Sequence, residues 1–530
     1  MYLDAHYELY YGVPVITPTL DIIHQLRLER ESFTRSIIDV GSYSDKRIIN
    51  ETIKKVYGFL DDCLKGCLKQ AANINTLCFL LDQYTQTLKI DWMSRRQFDD
   101  DEQERWNNRM GLRRGLKYVI EKIVEHGICD KNDGDSLNLE RMIELAEMCV
   151  EFSSESSLVY GLPEGRFEMT INPPGSRIYC DMKIENFAKD ALQDSLYRFR
   201  EFVEQNGRVE DDSEKNISER ITTPFSETFH FPYADVKRIY EFFANYKKVV
   251  SNEYVLVSKN LLLNELRNTL KIKTDLSKME LFLNAFVLSR QKLIDEPREL
   301  FRTNQKYRLR LRFMLEFDIG EKKMIAYSRA MVAESNMAFQ ELFLYDSLPD
   351  EWKFKKMEKA TSSILNYYGH KFERYANGYL AHLGLIGQSY KDNLPSGIPI
   401  PSDVGEIDFI GFSQEHKIIA CFEFKNVKGS TEPRQFRNDL DKFIYDEESY
   451  LVKYRKKVKL VSENIDSLAA FFEKTVGSKM NTDYLITAII TYYPNISRYF
   501  ISDYKCLSLA DFETEYKSNY MQFLTEVDKQ

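Results

Sequence analysis

Two carboxylates and a lysine stand in two apolar runs, Gly405-Glu406-Ile407-Asp408-Phe409-Ile410-Gly411 and Ile418-Ile419-Ala420-Cys421-Phe422-Glu423-Phe424-Lys425. Side chains of a strand alternate faces with a period of two. Ile419, Cys421, Glu423 and Lys425 therefore share one face, and Ile418, Ala420, Phe422 and Phe424 the other. Ser413-Gln414-Glu415-His416, between the runs, is short and polar, as a hairpin turn requires. If the strands are neighbours, Asp408 and Glu423 converge on one point with Lys425 beside them. Hard cations such as Mg²⁺ are held by one or two carboxylates plus water and substrate phosphate. Such an ion polarises a phosphoryl oxygen and acidifies a bound water, and a nearby ammonium offsets the charge that accumulates in the transition state. The expected chemistry is metal-dependent phosphodiester hydrolysis.

Glu-x-Lys alone is a cheap pattern. Glu321-Lys322-Lys323, Glu351-Trp352-Lys353, Glu415-His416-Lys417 and Glu515-Tyr516-Lys517 carry similar charges and read as solvated turns or helix faces. Only Glu423-Phe424-Lys425 closes an apolar strand that follows an Asp-bearing apolar strand. Charges at the ends of buried strands are costly unless paired or functional.

At these residues the chain resembles the PD-(D/E)XK nuclease superfamily, whose fold is restriction-endonuclease-like; the resemblance covers about the last third of the chain. Its members carry a helix with an acidic residue, an Asp on the second strand and Glu-x-Lys on the third. Asp408 matches the strand aspartate, and Glu423 and Lys425 match the Glu-x-Lys. The resemblance implies that the Phe424 backbone carbonyl joins the metal shell, with Mg²⁺ as the cofactor and Mn²⁺ as its substitute. Lys356 to Leu383 reads as the preceding helix, and within Tyr368-Gly369-His370-Lys371-Phe372-Glu373-Arg374-Tyr375 the acidic position is Glu373, a metal ligand directly or through water. The proline of the motif's name is not directly before Asp408. Pro401-Ser402-Asp403 comes closer to the name and makes Asp403 a rival ligand, although its Pro/Gly-rich setting reads as a loop.

The elements around the motif fit an α/β layer architecture, a mixed central sheet flanked by helices. Pro433 to Phe443 reads as a helix, with Arg434, Gln435 and Arg437, together with Lys428 before it, as candidate contacts to a nucleic-acid backbone. Asp483 to Thr491 and Lys505 to Leu509 read as strands, and Asp511 to Val527 as a closing helix. Upstream, residues 1–204 read as mainly helical with a hairpin at 166–182, 205–219 as an acidic linker, and 220–350 as a mixed region with a hairpin turning at Gly320. Residues 351–530 form the expected nuclease domain.

A chain of 530 residues, 43% hydrophobic, builds more than one core. It has no apolar run of membrane-spanning length, and Met1 to His6 lacks the start of a signal peptide. Its 8 cysteines are scattered and read as thiols of a reducing cytoplasm. A net charge of −9 argues against nonspecific coating of nucleic acid, so phosphate contacts fall to local patches. Candidates are Lys306, Arg308, Arg310 and Arg312, alternating on a strand, and the cluster Lys453, Arg455, Lys456, Lys457 and Lys459. There is no Walker loop, so an ATP-driven step needs a partner chain; no His-Glu-x-x-His and no Gly-x-Ser-x-Gly appears either. The expected function is an endonuclease on DNA, laid out like bacterial restriction and antiphage-defence effectors and acting as a homodimer or with a partner protein. RNA is the alternative substrate. A catalytically idle nucleic-acid-binding scaffold is the alternative class, disfavoured because an idle fold has no need of a repulsive acidic cluster.

Overall fold

Ile, Phe and Cys at alternating positions suit a pleated surface buried on both faces, and the two apolar runs fold accordingly. The computed structural model describes residues 5–527 except 95, 97–99, 129–135, 162–166, 175–179, 185–186, 210–211, 247–253, 273, 296–308, 346, 428 and 430–432. In it Leu385–Tyr390 (β1), Ile407–Ser413 (β2) and Ile418–Lys425 (β3) are consecutive antiparallel strands, and every residue of β2 and β3 except Lys425 is buried. The turn between β2 and β3 closes with Lys417 in the left-handed region at φ 57° and its N–H on the Ser413 carbonyl at 3.0 Å. Gly387 of β1 faces Gly411 of β2. A Cβ on Gly411 would lie 2.2 Å from the Ile386 carbonyl oxygen, and one on Gly387 would meet the Phe409 ring at 2.5 Å, so only glycine fits this crossing.

Beyond β3 the sheet turns parallel. Asn481–Thr491 (β4) runs parallel to β3 and Lys505–Ser508 (β5) parallel to β4, while Leu524–Glu526 (β6) pairs antiparallel with the first half of β4. One face is covered by Tyr450–Glu463 (α3) and Ile465–Val476 (α4), whose Leu451, Tyr454, Val458, Leu468 and Phe472 pack on Ile410, Ile419, Cys421 and Leu485. The opposite face receives Lys355–His382 (α1) and Leu509–Ser518 (α5): Phe372 lies 6.0 Å from the Phe424 ring and Phe512 5.4 Å from Phe422. Pro433–Leu440 (α2) leads into a π-type turn over Asp441–Tyr445 before α3 begins. The closing helix expected to reach Val527 ends at Ser518. Tyr520–Phe523 is a 3₁₀ turn that returns the chain to the sheet as β6, an edge short enough to look helical in the sequence.

The division of the chain also differs from the expected one. Residues 1–183 and 214–362 make one compact unit; residues 184–213 and 363–530 make the other. The helix Phe187–Asn206, expected in the N-terminal domain, belongs with the sheet unit. Arg198 Nε donates to Asp511 Oδ1 at 2.7 Å, Phe199 packs on Tyr492 and Tyr493, and Phe202 packs on Tyr375 and Tyr379. Of the expected linker 205–219, Asp212 accepts hydrogen bonds from Tyr367, Tyr368 and Lys371, and Ser213–Phe229 is helix.

The other unit is mainly helical, with small sheets. Leu20–Ile37, Lys46–Ala71, Ile74–Ser94, Met110–His126 and Ser136–Gly161 are among its helices; Tyr254–Ser258, Lys322–Ser328, Met314–Ile319 and Val287–Ser289 form a four-stranded sheet in that order. The hairpins expected at 166–182 and around Gly320 are present as Phe167–Ile171 with Cys180–Ile184 and as Met314–Ile319 with Lys322–Ser328. Of the expected basic strand, Arg310 and Arg312 are described, and residues 309–311 form a turn. Residues 301–308 lie outside the described residues, Arg310 pairs with Glu341 at 2.7 Å, and Arg312, 1% exposed, donates to Glu351 at 2.8 Å and to the carbonyls of Asn284, Ala285 and Val287. A guanidinium carries enough donors to serve as an internal clamp.

Candidate active site

The register Phe409↔Phe422 and Ile410↔Cys421, continued by one residue, sets Asp408 opposite Glu423 on the α3 side of the sheet. The two carboxyls are 8% and 2% exposed. Asp408 Oδ2 accepts the Phe424 N–H at 2.8 Å. Lys425 Nζ lies 2.6 Å from Glu423 Oε1, 3.5 Å from Asp408 Oδ2 and 3.0 Å from the Phe424 carbonyl oxygen. These are the three oxygens that the resemblance assigns to a metal shell, and here they converge on one cation. Above Lys425 stands the Tyr450 ring, 5.3 Å from Nζ, itself packed edge-on against Phe443 of the π-type turn.

A second lysine completes the cluster. Lys457 of α3, 6% exposed, donates to Glu423 Oε2 at 2.5 Å and lies 3.9 Å from Asp408 Oδ1. The sequence reading placed Lys457 in a phosphate-facing basic patch, and the structure corrects this. Its companions are paired as well: Lys453 with Glu448 at 3.6 Å, Lys456 with Asp403 at 3.8 Å, Lys459 with Glu463 at 3.8 Å, and Arg455 with Asp503. The signal was present in the spacing. Tyr454, Lys457, Val458 and Val461 fall on one helical stripe, which buries a lysine among core residues.

Burial sets the electrostatics. It pushes Asp408 up from its ordinary value of 3.8 to about 6, with the Glu423 carboxylate adding to the rise. Burial also opposes the charge on Glu423, yet Lys425 and Lys457 together hold it below the usual carboxylate range. For Lys425 the desolvation cost is outweighed by Glu423 and Asp408, which hold the ammonium above its usual value. The cluster is therefore two acids matched by two ammoniums. The two carboxylates still repel each other, and the two ammoniums compensate that repulsion within the cluster.

Glu373 and Asp403 have other partners. The Glu373 carboxylate accepts from His370 Nδ1 at 3.0 Å on its own helix, and among the described residues no hydrogen bond or ion pair joins it to Asp408, Glu423 or Lys425. Phe372 places that turn of α1 at the level of Phe424, on the sheet face opposite Glu423. Asp403, its side chain 70% exposed, lies in a turn and pairs with Lys456. Gln435 and Arg437 are half-buried on α2; Lys428 and the Arg434 side chain lie outside the described residues.

Oxygen donors alone, from two carboxylates and a carbonyl, suit a hard divalent ion whose remaining positions go to water and phosphate. Among the described residues no set of three His, Cys, Asp or Glu side chains converges for a metal, so the Phe424 carbonyl is the third protein donor this site offers. No protein-family model, no curated protein and no solved structure matches the chain. No helix among the described residues is long and apolar enough to cross a membrane.

Proposed function

We propose that the chain is a divalent-metal-dependent nuclease that hydrolyses phosphodiester bonds of DNA, built on a restriction-endonuclease-like domain, and that it serves as an endonuclease in bacterial restriction or antiphage defence. The observation that carries this reading is the convergence of Asp408 Oδ2, Glu423 Oε1 and the Phe424 carbonyl on one cationic point at the mouth of a rigid, buried hairpin. Asp408, Glu423 and the Phe424 carbonyl would hold Mg²⁺ or Mn²⁺. When bound, the ion supplies Lewis-acid polarisation of the phosphoryl oxygen and a more acidic water. Lys425, the more exposed of the two lysines, turns to the phosphate and places its ammonium where charge accumulates. Either a homodimer would supply the second site that a double-strand cut requires, or a partner protein would supply regulation or an ATPase activity, since this chain has no Walker loop.

The test incubates the full chain with supercoiled plasmid, linear duplex, single-stranded DNA and RNA, each with Mg²⁺, Mn²⁺ or EDTA. Cutting of DNA with either ion and none in chelator is the expected result; cutting confined to RNA selects the RNA reading. The compensated cluster favours a second reading, an ion-pair network of an idle scaffold. Absence of cleavage on all four substrates selects it.

Glu373 enters this reading as a residue acting through water. Glu373→Gln is expected to slow cleavage about tenfold, the usual cost of an outer-shell partner, and to raise the Mg²⁺ concentration for half-maximal rate. A metal titration of the cleavage rate checks both, and unchanged kinetics would remove Glu373 from the site.

A further inference from the structure

Two lysines share one carboxylate at this site, and they are mounted differently. Lys425 is the last residue of β3, its side chain 22% exposed, and its ammonium touches only oxygens that a metal would need, over the face of Tyr450. Lys457 enters from α3, its side chain 8% exposed, on a helix clamped to the same strand one turn earlier: Tyr454 Oη donates to the Cys421 carbonyl at 2.7 Å. Cys421 and Glu423 are successive positions on one face of β3, and Tyr454 and Lys457 are i, i+3 on one face of α3, so the two contacts form a rung-by-rung match between helix and strand. Leu451, Val458 and Val461 bury that helix face against the sheet. Lys457 meets Oε2 of Glu423, whereas Lys425 meets Oε1.

We infer that the two lysines divide the labour: Lys457 is a positioning residue, the resident counter-charge that holds Glu423 Oε2 so that Oε1 stays turned to the three-oxygen point, and Lys425 is the ammonium that yields that point to a divalent cation. This rests on the metal-dependent reading above. A buried carboxylate that loses its donor turns to find another. Without Lys457, Glu423 therefore collapses onto Lys425 with both oxygens, and the cation position closes. Without Lys425, the three oxygens lose their competitor while Glu423 keeps its orientation.

The test is Mn²⁺ binding to the full chain in the absence of nucleic acid, measured by titration calorimetry and by the loss of the free-ion paramagnetic resonance signal. Lys425→Met is expected to tighten Mn²⁺ binding, and Lys457→Met to weaken it about 10–100-fold, the range seen for residues that orient metal ligands. Lys457→Arg, which can donate to the same oxygen, restores binding to within a few-fold of wild type. Thermal melting of each variant runs alongside, since a merely structural lysine lowers Tm without moving Mn²⁺ affinity in folded protein. Lys457→Met binding as tightly as wild type, or Lys425→Met failing to tighten, overturns the inference; the second result remains decisive if Lys457→Met does not fold. Wild-type binding that Asp408→Asn abolishes, with Lys457→Met unaffected, defeats this inference alone. Absence of any Asp408-dependent Mn²⁺ binding by the wild type defeats the metal-dependent reading and the inference together.

Discussion

Lys425→Ala is expected to reduce DNA cleavage about 10²–10³-fold, the cost of removing one preorganised charge from a transition state, while duplex affinity and melting temperature stay close to wild type. The reason the fold should survive lies in Lys457. With Lys425 gone, the buried Glu423 carboxylate keeps the Lys457 ammonium at 2.5 Å, so no uncompensated charge is left in the interior. Single-turnover cleavage, filter binding and a thermal melt on one preparation separate the outcomes. Cleavage at near wild-type rate in Lys425→Ala would mean that another site carries the chemistry.

The second large effect is an asymmetry between the two acids. On the proposed reading Asp408→Asn and Glu423→Gln should both abolish cleavage, since each would remove an anionic metal ligand, but their stabilities should diverge. Glu423→Gln leaves Lys457 buried without its carboxylate, a loss of about 3–5 kcal/mol for one member of a buried ion pair. Asp408→Asn removes a charge that the fold disfavours, and the new amide oxygen can still accept the Phe424 N–H. Because the folded value of Asp408 is raised from 3.8 to about 6, stability falls as pH rises through that window and stays low above it. A neutral amide at this position avoids the loss, so Asp408→Asn should melt above wild type at about pH 8 and with it at about pH 3. Glu423 has the opposite sign: its folded value is lowered, so its contribution is present above the ordinary 4.5 and is lost on acidification. Melting curves across pH for the two variants test both signs, and equal destabilisation at neutral pH would contradict this account.

The hairpin was legible in the sequence because it depends on local rules. Strand alternation, a polar turn and two apolar runs suffice to bring Asp408, Glu423 and Lys425 to one face, and the resemblance added the Phe424 carbonyl to them. Lys457 was misread because a lysine among lysines looks like a solvated face; only the stripe of Tyr454, Val458 and Val461 marks it as buried. The unit to which Phe187–Asn206 belongs could not be read at all. Its anchors, Arg198 on Asp511 and Phe199 on Tyr492, join positions far apart in sequence, and no local pattern encodes a partner at that distance. Arg312 failed for a related reason: alternation with Leu309 and Leu311 mimics an amphipathic strand, but Glu351 and three carbonyls draw the guanidinium inward.

The sheet unit is assembled from residues 184–213 and 363–530, with residues 214–362 synthesised between them. This has a consequence for the order of events on the ribosome. Phe187–Asn206 emerges well before Tyr492 and Asp511, which hold Phe199 and Arg198; Asp511 lies 313 residues beyond Arg198. Long-range closures of this kind come late, because the intervening loop must be closed before any contact rewards it. The helical unit therefore has its whole sequence available before the hairpin bearing Asp408 and Glu423 exists. On the proposed reading, a nascent chain carries no competent phosphodiesterase centre until the residues through Lys457 have been made, which delays any cleavage activity until the upstream residues have had time to fold.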